Sequence, residues 1–123
     1  MINVKKIKYG LVLATTIIAN NANADTLSGK YKCLHKAMDI DYKLEFGANN
    51  KYKKDMELFD IIGIEKGNYS INGKIISFTP TENTRGGKKK NTQMPYKRNI
   101  ISNIGNKLIM TNMNDSDKII CKK

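Results

Sequence analysis

His35 is the only histidine in the chain, so any catalytic group built on an imidazole would have to use it. Asp39 and Asp41 follow closely and supply carboxylates for acid–base chemistry. A single histidine near a short surface strand is, however, far more often a solvated side chain than a catalytic base. We therefore expect a protein that is not an enzyme and has no catalytic residue.

The acidic and sulfur-containing residues do not follow a metal-binding pattern. Asp115 and Asp117 have the spacing of calcium ligands, but their loop lacks the glycine and the distal glutamate of an EF-hand. A structural zinc site fails because there are too few cysteines and histidines. The methionines are soft ligands for copper, but Met56 and Met110 fall where strand alternation predicts core. We expect neither a metal nor a cofactor.

Positive charges are concentrated between residues 85 and 98. No acidic residue follows Glu82 in this stretch, which holds six cationic residues: Arg85, Lys88, Lys89, Lys90, Lys97 and Arg98. Residues 81–92 contain no apolar side chain, and Gly86-Gly87 adds mobility, so we predict a long, flexible loop.

Two interpretations of this basic segment are open. It is either an ordinary solvated loop or a surface that binds an anionic partner, such as an acidic protein or the phosphates of lipopolysaccharide. We expect no nucleic acid partner, because few aromatic residues interleave with the charges.

The first 24 residues have the features of a signal peptide. Residues 1–8 carry three lysines and no acid, residues 9–19 form a short apolar run, and Ala22-Asn23-Ala24 matches a signal-peptidase site. The apolar run is roughly half the ~20 residues that a membrane-spanning helix needs. We therefore predict a signal peptide over 1–24, one domain over 25–123, no transmembrane segment after cleavage, and a periplasmic or secreted location.

Two cysteines, Cys33 and Cys121, lie near opposite ends of the predicted domain. In an oxidising compartment two such cysteines are expected to form a disulfide, which a small domain with a limited core needs. The alternative, two buried free thiols, does not suit an exported protein.

The segment from Asn68 to Pro80 predicts a β-hairpin. Asn72-Gly73 suits the two central positions of a type I′ turn, which would place Tyr69 opposite Ile76. Side chains alternate between the two faces of a strand. One face is then apolar, with Tyr69, Ile71, Ile76 and Phe78, while Ile75 lies on the other face with polar residues.

Similar short alternating segments recur every 8 to 12 residues without a helical period. We predict strands over 27–34, 41–46, 51–59, the two arms of the 68–80 hairpin, 93–101, 107–113 and 118–122. Residues 61–65 either lead into the first arm of the hairpin or form a short strand of their own. The fold class is all-β, and about eight sequential strands close most readily as a single antiparallel meander barrel. A disulfide between the first and last strands would join its terminal strands. A two-sheet sandwich is the second choice.

Three segments carry a resemblance to a known family: Leu27-Ser-Gly-Lys-Tyr31, residues 67–80, and Asn106-Lys-Leu-Ile-Met-Thr111. With these, the predicted domain resembles small lipocalin-like (calycin-type) domains of bacterial envelope proteins. The resemblance implies a barrel that holds a small apolar ligand. The layout is also similar to that of periplasmic inhibitors of C-type lysozymes, which the resemblance implies offer acidic groups to a basic enzyme, whereas this chain is itself basic.

Composition favours binding over catalysis. The chain has 22 Lys+Arg against 11 Asp+Glu, so its natural partner is anionic. We expect a non-catalytic, exported protein that engages an acidic protein or an anionic envelope component, in an inhibitor or immunity-type role. The alternative is a lipocalin-like carrier of a small apolar ligand. A third class, an enzyme, would have to use His35.

Overall fold

The computed structural model describes residues 26–123. The signal peptide predicted over 1–24, its cleavage site and residue 25 lie outside the described residues.

The described chain is almost entirely β-structure, with one short 3-10 turn at Ala48–Asn50. In chain order the strands are β1 (Gly29–His35), β2 (Ile40–Phe46), β3 (Lys51–Leu58), β4 (Ile61–Asn72), β5 (Ile75–Arg85), β6 (Lys88–Lys90), β7 (Tyr96–Ile104), β8 (Lys107–Asn112) and β9 (Lys118–Lys122). The predicted segments at 61–65 and 68–72 belong to one long strand, β4. Pro95 lies just before β7, where its missing N–H group costs no sheet hydrogen bond.

Eight of these strands close into an antiparallel barrel. Pairing runs from β1 through β2, β3, β4, β5, β7, β8 and β9, and β9 pairs again with β1. The short β6 is an extra strand that pairs only with the end of β5. The predicted meander barrel is thus confirmed in preference to the sandwich.

The disulfide between Cys33 and Cys121 closes this ring of strands. The two residues lie directly opposite each other where β1 meets β9, and their sulfur atoms are bonded. Both side chains are buried inside the barrel. The predicted disulfide between the first and last strands is confirmed.

The interior is filled by large side chains. Phe46 lies at its centre, with ring centroids 5.0 Å from Tyr69 and 5.9 Å from Tyr31. The other fully buried side chains include Leu44, Ile76, Phe78, Leu108, Met110 and Ile119. The core predicted from the 68–80 hairpin is confirmed for Tyr69, Ile76 and Phe78, while Ile71 is only partly buried.

The turn of the β4–β5 hairpin differs from the prediction. Its two loop residues are Gly73 and Lys74, so Asn72 pairs with Ile75 and Tyr69 faces Phe78 rather than Ile76. Gly73 has a φ of +65°, and Lys74 is not in the positive-φ region. A type II′ turn needs positive φ only at its first central residue, which Gly73 supplies. The partners shift by two residues, so the predicted apolar face is unchanged.

The predicted flexible loop over 81–92 is wrong. Strand β5 continues to Arg85, the chain turns at Gly86 and Gly87, and β6 pairs back along β5. Both glycines have positive φ, +59° and +80°, as a type I′ turn requires. The two glycines therefore specify a tight turn, and the basic segment is a β-hairpin.

Strand β3 also ends one residue earlier than predicted. Leu58 pairs with Ile61, and Phe59 and Asp60 form the turn between them, with φ values of +54° and +63°. Positive φ brings Cβ close to a carbonyl oxygen and costs a residue such as phenylalanine about 1–2 kcal/mol. Phe59 was expected in a strand and is instead at the tip of a turn.

A bulge in β5 changes which of its side chains face inward. Gly67 pairs with Pro80 and Lys66 with Glu82, so Thr81 is an extra residue. A Cβ atom at Gly67 would collide with the backbone of β5, which is why glycine is needed there. Beyond the bulge, Asn83 lies opposite Glu65.

Candidate functional site

The connections between strands lie at two ends of the barrel because successive strands run in opposite directions. We call the upper end the one with the β1–β2, β3–β4, β5–β6 and β8–β9 connections. The loop from β6 to β7 runs along the wall, because β6 pairs with residues 83–85 of β5 and β7 with residues 75–78. The lower end has the β2–β3, β4–β5 and β7–β8 connections. Candidate functional residues are found mainly at the upper end.

Four of the six predicted partner-binding residues lie together on the β5–β6 hairpin. Arg85, Lys88, Lys89 and Lys90 are all exposed there, and we call them the basic hairpin. The Gly86 N–H donates to the carbonyl oxygen of Ile62 at 3.0 Å, which fixes the hairpin turn against β4. The positive charges are thus held on ordered backbone at the upper end.

The other two predicted residues lie elsewhere. Lys97 is exposed and pairs with Ser77 in the wall of the barrel. Arg98 is half-buried opposite Ile76, and its guanidinium lies 4.9 Å from the ring centre of Tyr96. The structure does not bring Lys97 and Arg98 into one surface with the basic hairpin.

A buried polar cluster lies inside the barrel around Glu65. This side chain is 5% exposed, and its Oε2 atom accepts hydrogen bonds of 2.6 Å from both Tyr52 and Tyr96. Its Oε1 atom lies 3.9 Å from Lys54 Nζ and has no hydrogen-bond partner within the described residues. Lys54 also lies 5.0 Å from the ring centre of Tyr42.

Burial controls the ionisation of this cluster. It is the main cause that raises the pKa of Tyr52 and of Tyr96, and the negative charge of Glu65 adds to both. Burial also raises the pKa of Tyr42 to about 12, although Arg98 opposes it. The pKa of Lys54 is lowered by burial, against the attraction of Glu65. At neutral pH the tyrosines are therefore hydrogen-bond donors, not bases.

A cavity of about 60 Å³ adjoins Glu65. Lys54, Asn83, Arg85 and Gln93 provide its polar lining, and Met56, Leu58 and Ile61 part of its apolar lining. A water molecule needs ~10–15 Å³ of such space, so the cavity suits a few waters better than an organic ligand. We interpret the Glu65 cluster as a structural feature of the barrel interior.

His35 faces a carboxylate other than the two considered from sequence. Its Nε2 atom lies 3.9 Å from Asp117 Oδ2, a residue of the β8–β9 connection that the sequence suggested only as a calcium ligand. This distance is too long for a hydrogen bond. Both cysteines are bonded to each other, so neither is a free thiol for His35 to activate.

The structure also shows a row of lysines that the sequence did not predict. Lys32 pairs with Lys43 on one side and with Lys122 on the other, and Lys122 pairs with Lys107. All four are exposed, so the lysine row crosses four strands on the outside of the barrel. They are far apart in sequence, and only the strand register, which composition does not give, could have revealed them.

Exposed apolar side chains are the second feature missed from sequence. Phe59 is 96% exposed at the β3–β4 turn, and the neighbouring Ile61 and Ile62 are also exposed. Met94, in the loop that follows β6, is 82% exposed. The run Leu58–Ile62 contained the signal, because Asp60 interrupts it and favours a turn.

In residues 26–123 no group of three or more His, Cys, Asp or Glu side chains is arranged to hold a metal ion. No helix of the described chain is long and apolar enough to cross a membrane. Comparison with protein-family models, with curated proteins and with solved structures finds no match to this chain. The resemblance to lipocalin-like domains therefore stays a prediction.

Proposed function

We propose that this protein is an exported, non-catalytic binding protein that engages an anionic partner through the basic hairpin. The observation that carries the proposal is the set of four exposed cations on the β5–β6 hairpin. Within the described residues, none of the four has an acidic group at ion-pair distance. An inhibitor or immunity-type role fits a small, disulfide-closed barrel of this kind.

The charges of the basic hairpin repel one another. Arg85 lies directly opposite Lys88 across the two strands, and like charges in that position are destabilising. An anionic partner would relieve this repulsion. Exposed charges also attract an oppositely charged partner over distances near the Debye length of about 10 Å at 0.1 M salt, which raises the association rate.

The lysine row is a second cationic surface, and two observations favour the basic hairpin over it. The hairpin adjoins exposed apolar side chains, because the Gly86 N–H donates to the carbonyl oxygen of Ile62. The lysine row crosses β8, β9, β1 and β2, and its end residue Lys43 pairs with Asp55, which weakens the attraction for anions there. A partner gains more from charge and apolar surface together than from charge alone.

The packed interior gives little support to the alternative function, a carrier of a small apolar ligand. Ile76, Leu108 and Ile119 are fully buried, and Phe78 stacks on Tyr96 with ring centroids 5.1 Å apart. A ligand inside the barrel would have to displace these side chains.

The test compares two triple variants that remove the same number of charges. Lys88, Lys89 and Lys90 are changed to Gln in one, and Lys32, Lys43 and Lys122 to Gln in the other. Association with immobilised polyglutamate and polyphosphate is followed at several salt concentrations. The hairpin variant should associate roughly tenfold more slowly than the parent at low salt, and the difference should fade at high salt.

The lysine-row variant is the matched control, and it should keep most of the parent's rate. Equal slowing in both variants would mean that net charge alone acts, and slowing only in the control would assign binding to the lysine row. Either result contradicts the proposal.

A further inference from the structure

Exposed apolar residues are concentrated at the upper end of the barrel. Five large apolar side chains are exposed there: Met38, Phe59 and Met113 on the connections, and Ile61 and Ile62 at the start of β4. Toward the lower end Ile101 and Ile104, in the last part of β7, are exposed. Water-exposed apolar groups gathered at one end mark a surface that is covered in use.

Phe59 extends furthest into solvent among these residues. It is 96% exposed, so no packing against residues 26–123 explains its presence. Its backbone is in the left-handed region, a conformation that Asn or Gly adopts more easily than phenylalanine. An unfavourable backbone conformation held by an exposed aromatic residue indicates selection for contact with something outside the chain.

The basic hairpin lies beside this apolar turn. Gly86 is hydrogen-bonded to Ile62, and a side chain at Gly86 would contact Ile61, so the two turns are neighbours. We call Phe59, Ile61, Ile62 and the basic hairpin together the docking tip. The acidic residues beside it are Asp60, in the turn between Phe59 and Ile61, and Glu57, which is exposed and pairs with Ile62. Four cations stand against these two acids. Asp39 lies on the β1–β2 connection, and Asp115 and Asp117 lie on the β8–β9 connection.

We propose that the docking tip binds the surface of a phospholipid bilayer that contains anionic lipids, with Phe59 inserted between the headgroups and the basic hairpin on their phosphates. This inference rests on the proposed function and names the partner. Apolar side chains in the interface, together with lysines on anionic headgroups, are what hold a peripheral protein on a membrane.

The shape of the upper end favours a bilayer over an acidic protein. Phe59, Ile61 and Ile62 project at one turn, and the other exposed apolar residues of this end, Met38 and Met113, lie on separate connections. A protein partner would need a surface complementary to each projecting turn. A fluid lipid surface adapts to projecting side chains, so separate turns can insert independently.

The test measures co-sedimentation of the purified protein with vesicles of phosphatidylcholine alone, and of phosphatidylcholine with a minority of phosphatidylglycerol. We expect binding to the anionic vesicles only. Phe59→Asn should weaken it about tenfold or more, the effect of losing a buried aromatic side chain. Ile104→Asn, at the opposite end, is the matched control and should bind like the parent. Each lysine of the hairpin changed to Gln should weaken binding about fivefold.

Folding of the Phe59 variant can be checked separately. Asn tolerates positive φ, so Phe59→Asn should unfold at a higher temperature than the parent, and Phe59→Gly provides a second variant with the same expectation. Both variants should still associate with polyglutamate or polyphosphate at the parent's rate.

Three outcomes would contradict binding to a bilayer and leave the proposed function intact. They are unchanged vesicle binding by Phe59→Asn, binding of polyglutamate without binding of vesicles, and displacement of the protein from vesicles by equal concentrations of inorganic phosphate. If the parent binds neither the vesicles nor either polyanion, both proposals are wrong.

Discussion

Lys54 Nζ lies 3.9 Å from Glu65 Oε1 inside the barrel, an attraction without a hydrogen bond. The side chain of Glu65 is 5% exposed and that of Lys54 is 16% exposed, so water screens the pair only partly. Two tyrosine hydroxyls hold the other oxygen of Glu65. The two members of the pair therefore depend on each other unequally.

We expect Glu65→Leu to lower the free energy of unfolding by about 3–5 kcal/mol, because it leaves a buried cation and two hydroxyls without their acceptor. Lys54→Met should cost about 1–2 kcal/mol, since Glu65 keeps both tyrosine bonds. The double variant should be more stable than Glu65→Leu alone. Urea titration measures all three, and equal losses in the two single variants would show that the cluster is not centred on Glu65.

Phe78 and Ile75 test the orientation of the β4–β5 hairpin. Phe78 is 3% exposed, with its ring 4.9 Å from Tyr52 and 5.1 Å from Tyr96, whereas Ile75 is only partly buried, on the opposite face. We expect Phe78→Ala to cost about 3–5 kcal/mol and Ile75→Thr less than about 1 kcal/mol. Denaturant titration decides, and similar costs for the two variants would contradict the inward orientation of Phe78.

Local patterns predicted the hairpin, its apolar face, the barrel and the disulfide, because alternation and turn residues act over a few positions. The errors concern turns: Gly73 needed positive φ while Asn72 did not, and Gly86-Gly87 indicated mobility as readily as a type I′ turn. The lysine row and the docking tip could not be predicted, because Lys32 and Lys122 become neighbours only when the barrel closes. Phe59 looked like a strand residue, since turns seldom place an aromatic side chain at positive φ.

The disulfide should make a large contribution to stability. It joins residues 88 apart in sequence, and in the chain-entropy model a loop of that length stabilises the fold by roughly 4–5 kcal/mol. The double variant Cys33→Ala, Cys121→Ala should lose most of this. Thermal unfolding of the variant is compared with that of the parent under oxidising and reducing conditions, and a parent that unfolds at the same temperature in both would refute the expectation.

Stability should fall at alkaline pH because of the buried tyrosines. Tyrosine in an unfolded chain ionises near pH 10, whereas burial raises the pKa of Tyr42 to about 12. Between these values the unfolded chain has lost a proton that the folded chain retains. The contribution of Tyr42 is therefore fully present below about pH 10 and is lost as pH rises toward 12. Tyr52 and Tyr96 act in the same direction.

Lys54 acts in the opposite direction, because burial lowers its pKa. As pH rises, the folded chain releases the Lys54 proton before the unfolded chain does. Its contribution to stability therefore rises with pH until the lysine of the unfolded chain also deprotonates. We expect Tyr42→Phe to reduce the alkaline loss by about 1.4 kcal/mol per pH unit between about pH 10 and 12. Urea titrations across this range provide the measurement. An unchanged slope would mean that Tyr42 is solvated.

The bond between Cys33 and Cys121 makes a covalent ring of all the chain between them. Every hairpin from β1–β2 to β8–β9 belongs to that ring, and so do the exposed lysines of β6, after which trypsin can cut. A single cut there opens the ring without releasing a fragment, and β5 and β7 keep their neighbours in the barrel. The nicked protein would therefore migrate as one molecule until the disulfide is reduced.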